Sequence, residues 1–214
     1  MTLFSEVDGS SEGLVLTRTR LWLERAVIGL NLCPFAKAVM VKRQIRWVVS
    51  GATTTQALLE DLAVELQFLA ASPAEAVETT LLIHPQMLED FREYLDFIDL
   101  AEDAVADLGL EGELQVASFH PQYQFAGSHS DDIENCTNRS PYPMLHLLRE
   151  ESISRAIEAF PDAAVIYESN METLRRLGHA GWRKLWLDEA PGAQAGGAGD
   201  GAGDGAGSQA KDGE

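Results

Sequence analysis

SFHPQYQFAGSHSDDIENCTNRSPYPMLHLLRE, residues 118–150, is the stretch on which the reading of the fold turns. It leaves a strand-like run and crosses a polar loop without periodicity, from about His120 to Tyr142. It then enters a segment where Met144, Leu145, Leu148, Ile153 and Ile157 recur at helical spacing, which predicts a helix with Ser140 as cap and Pro141 as first residue. A loop of that length inside a compact domain is uncommon, and where it occurs it is functional or disordered. Its Phe, Tyr, His and Arg content argues against disorder and for a site.

Working outward, residues 17–30 carry Leu23, Ala26, Val27 and Leu30 at helical spacing beside Trp22. Pro34 interrupts that helix and suits the first position of a short second one, which would leave Cys33 at its N-cap. IRWVV (45–49), TTLLI (79–83) and LQVASF (114–119) read as strands. Between them, Leu58, Leu59, Leu62, Leu66 and Leu69 line a helix that Thr53 or Thr54 can cap, ending near Ala71. Met87, Leu88, Phe91, Leu95 and Ile98 line another, closed by Gly109. A last helix is expected from Asn170 to Leu177, stopped by Gly178. Helices alternating with strands predict an α/β fold: a small, mostly parallel sheet of three or four strands with helices packed on it. A fourth strand has room in residues 40–43 or in the long loop.

Three segments are expected: a flexible N-terminus (1–16), a single α/β domain (17–187) and a disordered acidic tail (188–214). The tail is built of Gly, Ala and Asp and cannot bury enough apolar surface to offset its ordering entropy. It carries six acidic residues against one lysine, leaving −13 of the formal −18 to the rest of the chain. A field of that sign disfavours nucleic acid and anionic membranes as partners, while leaving room for a local basic pocket. Two cysteines exclude a disulfide framework, the N-terminus lacks the apolar core of a signal peptide, and no apolar run approaches a membrane span. A cytoplasmic protein is the expectation, with oligomeric state left open.

Four features carry chemistry. TLLIHPQ (80–86) and VASFHPQ (116–122) echo one another, so two strands end in His-Pro and a parallel sheet would place His84 and His120 at one edge. Open α/β sheets bind ligands beyond that edge, although histidines there also serve as plain strand-end caps. His146 and Glu150 stand four apart and on a helix would share a face, as metal ligands or as an ordinary surface pair. Asn138, Arg139 and Ser140, with Tyr123 and Tyr142 nearby, suit an anion at a helix N-terminus; Arg139 could instead pair with Asp131 or Asp132 to order the loop. Cys33 at an N-cap would be an activated thiol, or else a small buried hydrophobe; Cys136 is a weaker candidate. His129 and His179 receive no role.

WLERAVIGLNLCPFAK (22–37), TLLIHP, SFHPQYQFAG (118–127) and NRSPYPMLHLLRE (138–150) together resemble the bacterial proteins grouped as domain of unknown function 1415. The resemblance spans residues 17–178 and implies no activity.

Three functions compete. The first is an enzyme for a small anionic substrate, with metal-assisted hydrolysis at a His-rich site as one form. There His84, His120, His146 and Glu150 hold a divalent metal ion. In the metal-free form Cys33 is the nucleophile, with His120 as base and Arg139 on the substrate. The second is a non-catalytic binding protein for an anionic metabolite. The third is an interaction module whose acidic helix, from Glu89 to Asp103, meets a basic partner.

Overall fold

The computed structural model describes residues 11–159 and 163–186. Four strands, β1 (Ile45–Val49), β2 (Thr79–Ile83), β3 (Leu114–Phe119) and β4 (Met144–Arg149), form one sheet in the order β1-β2-β4-β3. β1 and β2 are parallel; β4 runs antiparallel to both β2 and β3. The fold is α/β, and the sheet is mixed, not mostly parallel.

That difference has a single source. The helix expected after Ser140-Pro141 is β4, and the helix α5 (Glu150–Ala159) begins only where β4 ends. MLHLLR is a central strand covered on both sides, so its apolar positions run together without alternation. A short run of that kind has no period of its own, and the isoleucines of α5 lent it a helical one. The fourth strand thus lies beyond the loop, and neither residues 40–43 nor the loop supplies one.

α3 (Thr55–Ala71) connects β1 to β2, and α4 (Phe91–Asp107) connects β2 to β3. Thr54 caps α3 by accepting the Ala57 N–H, and Asp90 caps α4 by accepting the N–H groups of Arg92 and Glu93. The leucines at 58, 62, 66 and 69 of α3, with Tyr94, Phe97 and Val105 of α4, cover one face of the sheet through Leu82, Leu145 and Leu147. The opposite face, Leu81, Ile83 and Met144, packs on α1 (Ser11–Trp22), the wider π-helical turn Leu23–Ile28 that continues it, and α6 (Ala163–Trp186). α1 starts six residues before the expected Thr17. α6 is broken by Gly178, whose φ of 66° and ψ of 170° lie outside helical geometry, so the expected stop is a kink with a further helical stretch after it. Residues 1–10 and the tail beyond 186 lie outside the described residues. Among those described, no helix is long and apolar enough to cross a membrane.

Candidate functional site

β3 is parallel in direction to β2 although β4 separates them, so both strands end at the same sheet edge. His84 and His120 follow those ends directly, as the repeated His-Pro predicts. Neither ring reaches solvent. Tyr94 stands between them, its ring centroid 5.9 Å from His84 and 5.0 Å from His120. The Tyr94 hydroxyl donates to the Met144 carbonyl at 2.8 Å and accepts the Phe119 N–H at 3.0 Å, tying α4 to the last pair of the β3–β4 ladder. Burial pushes its phenol pKa up.

The two imidazoles hold one turn. His84 Nδ1 lies 3.1 Å from the Met87 carbonyl and His120 Nε2 lies 3.0 Å from the Leu88 carbonyl. A carbonyl only accepts, so each of those nitrogens carries its proton. His120 Nδ1 in turn accepts the Gln122 N–H at 3.0 Å, which satisfies both ring nitrogens in the neutral form. His84 Nε2 is buried without a hydrogen-bond partner. Burial lowers the pKa of His84 to about 4 and lowers that of His120 as well. The turn they grip is strained: Leu88, a bulky residue, has φ of 58°.

The loop from 120 to 142 is ordered by its own polar side chains. Asn135, fully buried, accepts from the Phe125 N–H and the Ser128 hydroxyl and donates to the His129 carbonyl. Asn138 donates to the Ser118 carbonyl, and its own carbonyl accepts the His120 N–H. Arg139 reaches the Tyr123 carbonyl with Nε and the Ser130 carbonyl with Nη2. It therefore orders the loop, but through carbonyls, and it forms no ion pair with Asp131 or Asp132 among the described residues. Ser140 is buried and donates to the Tyr142 carbonyl. No helix N-terminus lies here, because β4 follows, so the expected cap-and-dipole anion site is absent from this place. From the other side, Trp22 Nε1 donates to the Arg139 carbonyl at 2.8 Å. The Arg18 guanidinium contacts the Tyr142 hydroxyl.

The remaining expected residues are dispersed. His146 lies in β4, paired with Leu81 and Ala117 on the sheet face opposite Tyr94, with its ring 5.9 Å from Phe119. Burial lowers its pKa to about 4. Glu150 begins α5 beyond the far end of β4, and four residues of strand span roughly 13 Å. The His146–Glu150 helix pair is therefore corrected to two groups at separate places. The set His84, His120, His146 and Glu150 is not gathered, and among the described residues no three His, Cys, Asp or Glu side chains come together as a metal ion requires. Cys33 is half-buried against the second core, two residues before Phe35, which takes the N-cap position of α2 (Ala36–Val41). It has neither the expected helix N-terminus nor a hydrogen bond to a described histidine. Cys136 is buried, and burial raises its pKa against the opposing pull of Arg139.

An open cavity of about 530 Å³ lies on the outer side of the loop. Pro121, Asp131, Arg139, Ser140 and Pro141 form one wall; His179, Trp182 and Arg183 form the other. The second wall exists because the stretch of α6 after the Gly178 kink presents 179, 182 and 183 on one face. His179 Nε2 donates to the Asp131 carbonyl at 2.9 Å, and Arg175 pairs with Glu134, so loop and helix are joined. Two of the expected substrate-binding residues, Arg139 and Ser140, line this cavity. Tyr123, Asn138 and Tyr142 do not line it; they shape the loop behind. His179, Trp182 and Arg183 escaped the sequence reading. Their signal was the i, i+3, i+4 spacing in HAGWR directly after a helix-breaking glycine. A further cavity, of about 440 Å³, is lined by α6 alone, from Tyr167 to Arg176, and Arg175 there is already paired.

A family model described as protein of unknown function (DUF1415) matches residues 14–184. The match covers well over half of the chain, and the chain belongs to that family. No curated protein and no solved structure matches.

Proposed function

We propose that this member of the DUF1415 family binds a small anionic molecule, with an apolar portion, in the cavity between the 120–142 loop and the end of α6. One observation carries the reading: in a chain of net charge −18, two guanidinium groups, Arg139 and Arg183, line one concave surface. Arg183 is exposed and forms no ion pair or hydrogen bond with a described residue. Arg139 commits Nε and part of Nη2 to carbonyls and a further N–H to the Cys136 thiol, which leaves the remaining guanidinium N–H groups for a carboxylate or phosphate. Pro121 and Pro141 supply apolar wall with the small exposed edge of Trp182, which is otherwise buried in the core, and the volume lies in the range of small-molecule sites.

The test is calorimetric titration of the full chain with benzoate, 3-phenylpropanoate, phenyl phosphate and inorganic phosphate. At least one aromatic anion is expected to bind, and Arg183→Ala is expected to weaken it at least tenfold. If none binds, or if Arg183→Ala binds equally well, the reading is wrong.

A catalytic reading at the histidine edge is favoured by a different observation: the unpartnered Nε2 of His84 beside a strained turn. Strain and unsatisfied polar atoms concentrate where proteins work. In that reading His84 Nε2, buried and without a hydrogen-bond partner, is the working base. Conversion of a bound anion, lost in His84→Phe, would support it; recovery of every ligand unchanged leaves binding as the function.

A further inference from the structure

The same cavity holds an opposite charge that a site for a simple anion has no use for. Asp131 lines it together with Arg139 and Arg183. The Asp131 carboxylate accepts one hydrogen bond, from Ser130 Oγ to Oδ1 at 2.8 Å, and Oδ2 has no partner among the described residues. No ion pair joins Asp131 to either arginine. Carboxylate and guanidinium on one concave surface, each with unused hydrogen-bonding capacity and held apart from one another, are complementary to a ligand carrying both charges. His179 adds to this pattern. Its Nε2–H is committed to the Asp131 carbonyl, which fastens the Asp131 backbone to the α6 wall of the cavity.

Resting on the anion-binding reading above, we infer that the ligand is a zwitterion, an amino acid with an apolar side chain. Its carboxylate meets Arg139 and Arg183. Its ammonium meets Asp131 Oδ2. Its side chain lies against Pro121 and Pro141. A plain carboxylate gains the arginines but leaves Asp131 facing it unpaired, which costs affinity. An amine without a carboxylate leaves both guanidiniums unused.

Titration calorimetry of the full chain with L-phenylalanine, 3-phenylpropanoate and L-phenylalanine amide separates the contributions. L-Phenylalanine is expected to bind at least tenfold more tightly than either analogue. Asp131→Asn keeps the acceptor for Ser130 and removes the charge, and Asp131 is exposed, so the fold is retained. In that variant the advantage over 3-phenylpropanoate is expected to vanish. If 3-phenylpropanoate binds the native chain as tightly as L-phenylalanine, the zwitterion inference is overturned while anion binding stands. The same holds if Asp131→Asn leaves the ratio unchanged. If neither compound binds and the anions tested above do not either, both fall together.

Discussion

The sheet edge and the cavity beside it meet at the 120–142 loop, the edge completed by the turn after β2 and the cavity by the end of α6, yet they differ in how their polar groups are used. At the edge, His84 and His120 are shut from solvent and each spends a ring N–H on a backbone carbonyl of the 84–90 turn. In the cavity, Arg183 and the Asp131 Oδ2 have no partner among the described residues. The histidines of the repeated motif act here as fasteners for backbone that the sheet leaves unpaired. The groups left over, where a ligand has something to gain, are ordinary residues on a loop and a helix end.

The sharpest way to break that contrast is His120→Ala. It empties a packed ring and leaves the Leu88 carbonyl and the Gln122 N–H without partners, so a loss on the order of 4 kcal/mol in urea unfolding is expected. A loss below about 1 kcal/mol would mean the ring is not a fastener.

Acid is the next lever. The His84 pKa of about 4 lies below the ordinary 6.5, so the unfolded chain takes up a proton that the native chain refuses. Stability is therefore complete above pH 6.5 and falls as pH drops toward 4, by roughly 3 kcal/mol for a shift of that size. His146 acts in the same direction. His84→Phe should flatten the pH dependence of the urea midpoint in that window, and an unchanged slope would count against a buried neutral imidazole.

Tyr94→Phe removes one hydroxyl from between the Phe119 N–H and the Met144 carbonyl. About 2 kcal/mol should be lost, with faster amide exchange at Phe119 as the local sign.

Arg183→Ala sits at the other extreme. Its side chain is exposed and makes no hydrogen bond or ion pair with a described residue, so the melting temperature should stay within the small range of neutral surface changes, below about 0.5 kcal/mol. Only ligand affinity should move. A clear loss of stability would show that the arginine belongs to the fold.

The parts of this molecule legible in its sequence are those with local periodicity. β1, β2 and β3 stand where IRWVV, TTLLI and LQVASF place them, and α3 starts at its Thr54 cap. The meeting of His84 and His120 at one edge was also legible, because it needs only two strands running the same way. β4 was not, since a strand covered on both faces shows no alternation and a helix follows it directly. The His146–Glu150 pairing failed with it. The cavity was half legible: Arg139 and Ser140 stood out within the loop. The wall of His179, Trp182 and Arg183 depends on a contact between segments some 40 to 60 residues apart, which no local pattern encodes.

Amide-resolved NMR of the full chain, titrated with 3-phenylpropanoate, tests most directly where this protein works. The largest shifts are expected at Asp131, at Arg139 and Ser140, and from His179 to Arg183, with the amides from His84 to Glu89 little changed. Shifts centred on His84, Leu88 and His120, with the arginine cavity silent, would contradict the account.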